Sequence, residues 1–206
     1  MKTKARIAVL VSGGGTNLQA LLDAQARGDI PHGEIVLVIS NNRGAYALER
    51  AAKAGVPSRV LLRKELGSQA AFEAALADAL RENGVDLVIL AGFMSILSQS
   101  FTRQFEGRII NVHPSLIPSF CGEGFYGLRV HEAALARGVK VTGATVHIVN
   151  EIPDGGPILL QKAVEIRPDD TPEVLQKRVM EQAEWILLPR AAEMLCAQLC
   201  EKGEWK

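Results

Sequence analysis

The chain has 206 residues, 48% of them hydrophobic, enough to bury one sizeable core. Its 23 lysines and arginines balance 23 aspartates and glutamates, so net charge is zero and no global field favours nucleic acid or an anionic membrane. No apolar run approaches the ~18 residues of a spanning helix, and three cysteines without metal spacing predict a reduced, cytoplasmic protein.

The opening, MKTKARIAVLVSGGG, is basic and then apolar. Its apolar stretch, Ile7 to Val11, is too short for a signal-peptide core and leads into a triglycine, so it predicts a first strand. Continuous apolar runs recur in EIVLVIS, SRVLL, DLVILAG and RIINV. Such runs suit parallel strands covered on both faces. Between them TNLQALLDAQARG, GAYALERAAKAG and SQAAFEAALADALRENG carry a helical period. The alternation predicts an α/β fold with a doubly wound, mostly parallel sheet. After residue 140, VKVTGATVHIVN and PILLQKAVEIR read as strands with no helix between them, which predicts antiparallel additions at the C-terminal edge. The tail, residues 169–203, reads as helix. Thr171 is its expected N-cap, Pro172 its first residue, and Pro189 is expected to kink or break it. Without repeats or linkers, residues 1–206 are expected to form a single domain.

The first strand enters the first helix through Ser12-Gly13-Gly14-Gly15-Thr16-Asn17. Such a turn lets backbone N–H groups surround an anion at a helix N-terminus. Thr16 and Asn17 can cap that helix or bond a phosphate. The dinucleotide fingerprint wants a third glycine where Leu18 stands and an acidic residue where the second strand ends in Ser40-Asn41-Asn42. The Gly-Lys-Ser/Thr of a P-loop is also missing. A phosphate monoester and a ligand-free tight turn both remain.

In IINVHPSLIPSF, Asn111 and His113 share one face of a strand, at the end where open α/β sheets bind ligands. Pro114 stiffens the backbone behind them. An amide donor beside a titratable imidazole suits reaction at a carbonyl, and no G-x-S-x-G elbow signals an acyl-enzyme. The alternative is strand-end capping. Asp154, before Gly155 and Gly156, is a candidate carboxylate partner or a surface turn, its glycines allowing approach to a ligand. Cys121 shows no sign of activation, and Cys196 and Cys200 read as small apolar helix residues. His131 reads as a surface residue on a helix, and His32 as loop. Four scattered histidines without H-E-x-x-H give no metal cage.

With these pieces in order, the chain resembles the glycinamide ribonucleotide formyltransferase family of purine biosynthesis. The resemblance rests on VLVSGGGTNLQAL, VISNN, LVILAGFMSIL, INVHPSLIPSF, TGATVHIVNEIPDGGPILLQ and RVMEQAEWILLP, nearly the whole length. It implies a Rossmann-like formyltransferase fold. It also implies transfer of a formyl group from 10-formyltetrahydrofolate to the amine of 5′-phosphoribosylglycinamide, without metal. Asn111, His113 and Asp154 match the catalytic trio, with Asp154 expected to accept the amine proton and to keep His113 charged. Gly14, Gly15, Thr16, Asn17 and Leu18 match the segment holding the substrate phosphate, and Glu184 a ribonucleotide contact. Met94, Ser95, Ile96 and Leu97, with Gln69 and Asn111, match the folate pocket. His147 recurs in the family and is expected to support Asp154. By this reading residues 1–110 form a phosphate-binding half and residues 111–206 a catalytic and folate-binding half. Partners are small molecules, with neither nucleic acid nor membrane, and the chain is a monomer or homodimer. Ser95 and Gln69 stand where relatives often carry basic residues, Trp185 where histidine is frequent, and Cys121 breaks a common proline-glycine pattern. A folate hydrolase, a sugar amine formyltransferase and a non-catalytic phosphate-binding module are the alternatives.

Overall fold

The computed structural model describes residues 3–202, so Gly203 of the expected helical tail lies outside the described residues. Among the described residues, seven strands form one sheet: β1 (Ala5–Val11), β2 (Gly33–Ser40), β3 (Ser58–Val60), β4 (Leu87–Leu90), β5 (Ile109–His113), β6 (Val141–Ile148) and β7 (Ile158–Glu165). They lie in the order β3-β2-β1-β4-β5-β6-β7. The first five are parallel, β6 runs antiparallel to β5, and β7 runs antiparallel to β6. The doubly wound reading and its antiparallel edge are both present.

The helices are α1 (Thr16–Arg27), α2 (Tyr46–Lys53), α3 (Arg63–Leu66), α4 (Gln69–Glu82), α5 (Gln99–Thr102), α6 (Leu128–Arg137), α7 (Pro172–Val179) and α8 (Trp185–Lys202). Among the described residues none is long and apolar enough to cross a membrane. Strand β1 shows how the sheet divides the core. Ile7, Val9 and Val11 pack with Leu18, Leu21, Leu175 and Leu188 on one face. Ala8 and Leu10 pack with Phe72, Leu76 and Phe101 on the other. Each such buried Leu or Phe contributes roughly 1.5–3 kcal/mol of transfer free energy.

Strand order reverses between β1 and β4, so a crevice opens at their carboxyl ends. The glycine turn after β1 and the segment after β4 form its two lips, and β5 ends beside it. Thr171 caps α7, accepting from the Val174 N–H, with Pro172 in the first turn. Pro189 does not break the tail, which runs helical through it. The irregularity falls earlier, in a π-helical turn over Met180–Glu184, which widens the helix just before α8.

Candidate active site

Among the described residues, strand β5 is the only one with a parallel neighbour on one side and an antiparallel neighbour on the other. Asn111 pairs in register with His147, and His113 with Thr145. A bulge between Val146 and His147 re-aims the imidazole. The hairpin loop 149–157 then returns Asp154 to the same spot, with a left-handed φ of 54°. Such a conformation costs a non-glycine residue of order 1 kcal/mol and persists only where its surroundings enforce it. The glycines after it are required by the tight path of the chain itself. A Cβ on Gly156 would stand 1.8 Å from the Ile148 carbonyl oxygen, and one on Gly155 would meet Ile152 at 2.5 Å.

Asp154 thus meets both residues of the β5 pair. Its Oδ1 lies 3.4 Å from Asn111 Nδ2 and 3.4 Å from His147 Nε2. Its Oδ2 accepts from the Gly122 N–H at 2.9 Å and lies 3.4 Å from His113 Nδ1. Asn111 Nδ2 is also 3.3 Å from His147 Nε2, and His147 Nδ1 lies 2.9 Å from the Ile148 carbonyl oxygen. The contacts near 3.4 Å are long for hydrogen bonds, so these side chains remain available to a ligand.

His113 is buried, and its Nε2 lies 2.8 Å from the Phe120 carbonyl oxygen. That oxygen only accepts, so Nε2 carries the hydrogen. Burial is the largest influence on the ring and holds its pKa below the ordinary imidazole value, against the pull of Asp154 and the Phe120 carbonyl. Desolvation therefore works against the charge that the sequence reading expected on His113, while Asp154 and the Phe120 carbonyl favour it. For Asp154 burial pushes upward, but the His147 hydrogen bond, the His113 ring and the Gly122 N–H together hold the carboxyl below the usual aspartate value.

A cleft of about 630 Å³ runs over this cluster, between Met94–Ile96 on one wall and Gly122–Gly127 on the other, with Asn111, His113 and Asp154 between. A smaller pocket of about 130 Å³ adjoins it, lined by Leu90, Leu97, Val149, His147 and Asp154 among others. Met94, Ser95, Ile96 and Leu97 all border one or both. Gln69 stands behind this wall, its Nε2 donating to the Ile96 carbonyl at 3.1 Å.

The glycine turn forms the other end. Gly15 takes a φ of 72°, and a Cβ there would strike Ala47 at 2.6 Å; Gly13 and Gly14 face open space. Gly15 itself occupies the N-cap of α1 without a side-chain cap, so the first N–H groups of α1 have no side-chain acceptor. Thr16 and Asn17 do not cap the helix, contrary to the expected option. Thr16 Oγ1 contacts Met180 Sδ at 3.7 Å, and Asn17 Nδ2 donates to Glu184 Oε2 at 2.7 Å. Asn17 and Glu184 are buried, and Asn17 Oδ1 has no partner. Burial pushes the Glu184 carboxyl up to about 7, against the Asn17 hydrogen bond. Leu18 lies wholly in the core, so only its backbone can face a ligand at this turn.

Sequence reading misplaced His131. It is fully buried on α6 rather than on the surface, both ring nitrogens lack partners, and burial followed by the charge of His113 lowers its pKa to about 4. The available signal was its neighbour Val130 and the following Ala134, which place it on the apolar stripe of that helix. Sequence reading also passed over Ser12 and Asn41 as anchors of the cleft wall: Ser12 Oγ accepts from the Met94 N–H at 2.8 Å, and Asn41 Nδ2 donates to Ser95 Oγ at 2.7 Å. Cys121 Sγ rests 3.3 Å from the Pro118 carbonyl oxygen, and burial, then Asp154, raises its pKa, which disfavours the thiolate.

Sheet order, a carboxyl-end crevice and an amide–imidazole–carboxylate cluster define a Rossmann-like group-transfer fold. Comparison with known proteins sharpens this. The formyl transferase family profile matches residues 5–191, and the chain belongs to that family. It is 46% identical over 177 residues to phosphoribosylglycinamide formyltransferase of Haemophilus influenzae, covering 86% of this chain and 81% of that protein. It is 44% identical over 201 residues to the trifunctional purine biosynthetic protein adenosine-3 of Gallus gallus, where it covers 98% of this chain but only 19% of the longer protein. The crystal structure of glycinamide ribonucleotide transformylase 1 from Symbiobacterium toebii superposes with a TM-score of 0.89 at 43% identity, covering 96% of this chain and 90% of that one.

Proposed function

We propose that this chain transfers a formyl group from 10-formyltetrahydrofolate to the amine of 5′-phosphoribosylglycinamide, in de novo purine biosynthesis. The observation that carries the reading is the meeting of Asn111, His113 and Asp154 in one cleft of a formyl transferase family member. In this reading the substrate phosphate binds the uncapped N-terminus of α1, through the backbone from Gly14 to Leu18. Glu184 and Asn17 close the ribonucleotide end. The folate lies against Met94–Leu97, its bicyclic ring in the smaller pocket. Gln69 supports that wall from behind.

The amine attacks the formyl carbon, and negative charge grows on the formyl oxygen. Asn111 Nδ2–H and His113 Nε2–H donate to that oxygen, the latter exchanging its bond to Phe120. Each such donor is worth about 100- to 1000-fold in rate. Asp154, held anionic by its neighbours, accepts the amine proton directly or through water, while His147 orients it. Residues 1–110 then supply the phosphate turn, and residues 111–206 the reacting groups. The folate wall Met94–Leu97, however, comes from the first segment, so that boundary divides the phosphate turn from the chemistry but not from the donor pocket.

An absorbance assay for deformylated folate, run with and without the ribonucleotide amine, tests the proposal. Product that depends on the amine supports transfer. Folate turnover at the same rate without the amine makes the chain a hydrolase instead.

A further inference from the structure

The segment after β4 carries an unexplained feature. Met94 and Ile96 are 56% and 71% exposed, although both are apolar and border the cleft. An unrestrained segment would collapse to bury them. Its backbone is instead fixed at three places, where Ser12 holds the Met94 N–H, Gln69 the Ile96 carbonyl and Glu73 the Ser98 N–H, and Asn41 holds the Ser95 hydroxyl as well.

Glu73 is the centre of this restraint. It is a carboxylate on α4, only 7% exposed. Oε1 accepts from the Ser98 N–H at 2.6 Å and from Gln69 Nε2 at 2.7 Å, and Oε2 accepts from Ser98 Oγ at 2.5 Å. The same Gln69 Nε2 reaches the Ile96 carbonyl, so one carboxylate fixes both ends of Ile96–Ser98. Burying a carboxylate is costly, and neutral donors offset that cost only through good geometry.

We propose that Glu73 is a positioning residue for the formyl donor: it holds Ile96 out beside Met94, and the two form an apolar lip against which the aromatic part of the folate lies. A preformed lip spares the donor the ordering cost of assembling its own pocket. The inference rests on the reading that this wall receives the folate.

Steady-state kinetics of the full chain test it, with each substrate varied in turn. Glu73→Ala raises KM for 10-formyltetrahydrofolate about tenfold, the equivalent of ~1.4 kcal/mol. KM for the ribonucleotide stays within about twofold and kcat within about threefold, since neither the phosphate turn nor the reacting groups touch Glu73. Glu73→Gln, which keeps an acceptor for the Ser98 N–H, recovers most of the loss. Where Glu73→Ala fails to fold, Ser98→Ala carries the same donor-selective signature at about threefold, because it removes the hydroxyl bond and spares the N–H bond. Equal rises in both KM values, a fall in kcat alone, or no change in these variants overturns the positioning role. Absence of amine-dependent transfer by the unaltered chain removes the functional reading itself, a result distinct from a Glu73 effect that lacks donor selectivity.

Discussion

His131 and Glu184 are both buried ionisable groups, and their burial tilts stability in opposite directions with pH. Glu184 titrates at about 7 in the folded chain against 4.5 ordinarily, so the folded state holds its proton longer than the unfolded state does. Its contribution is complete below 4.5 and is lost as pH rises through about 7, up to ~3 kcal/mol. His131 titrates at about 4 against 6.5, so its contribution is present above 6.5 and is lost as pH falls toward 4. Urea unfolding at pH 5 and pH 8 separates them. Glu184→Gln loses less stability than the parent on going from pH 5 to pH 8, and His131→Leu loses less on going from pH 7 to pH 4.5. At Asp154 the key substitution is Asn, because Asn tolerates the left-handed backbone that position demands. Asp154→Asn lowers kcat about 100- to 10,000-fold, the range of a lost acid–base group, while KM for the ribonucleotide stays within about twofold. Normal turnover in that variant removes Asp154 from the chemistry.

At the scale of elements, the hairpin of β6 and β7 shows what sequence conveys and what it withholds. Both segments were legible as strands with no helix between them, and the Asp-Gly-Gly turn marked the loop. The reason for the glycines was not legible, because it lies in a close approach to the Ile148 carbonyl that only register fixes. Gly156→Ala places a Cβ where no side-chain motion relieves the overlap. It destabilises the fold by roughly 1–3 kcal/mol and displaces Asp154, so Tm and kcat fall together. Thr171→Ala provides the contrast: it removes the N-cap of α7, costs about 1 kcal/mol, and leaves kcat unchanged. The tail was legible in its start but not in its middle. Pro189 is a visible breaker, yet the distortion is the π turn preceding it, whose Met180 and Glu184 contact Thr16 and Asn17 on distant α1.

At the scale of the whole molecule, alternation of strand and helix predicted the sheet, and the i, i+2 spacing predicted that Asn111 and His113 share a face. The burial of His131 depends on how α6 packs against α7 and the rest of the fold, and the electrostatics of His113 on how much water its surroundings exclude. The first has a local sign in Val130 and Ala134 on the same stripe, and the second has none. Net charge was legible directly: it is zero at pH 7 by formal count. Colloidal repulsion is therefore weakest there, and light scattering at low salt shows the strongest self-attraction near pH 7 and less at pH 8.5.

The smaller pocket has two banks, loop 149–157 and the segment after β4, and they differ in what they can tolerate. Loop 149–157 carries Asp154 along with Ile152 and Pro153, so any change of length there alters reactivity and fit at once. The bank after β4 carries fit alone. On the proposed function, anyone seeking to retune which one-carbon carrier is accepted has a bank to remodel, residues 94–98, and an opposite bank to leave untouched.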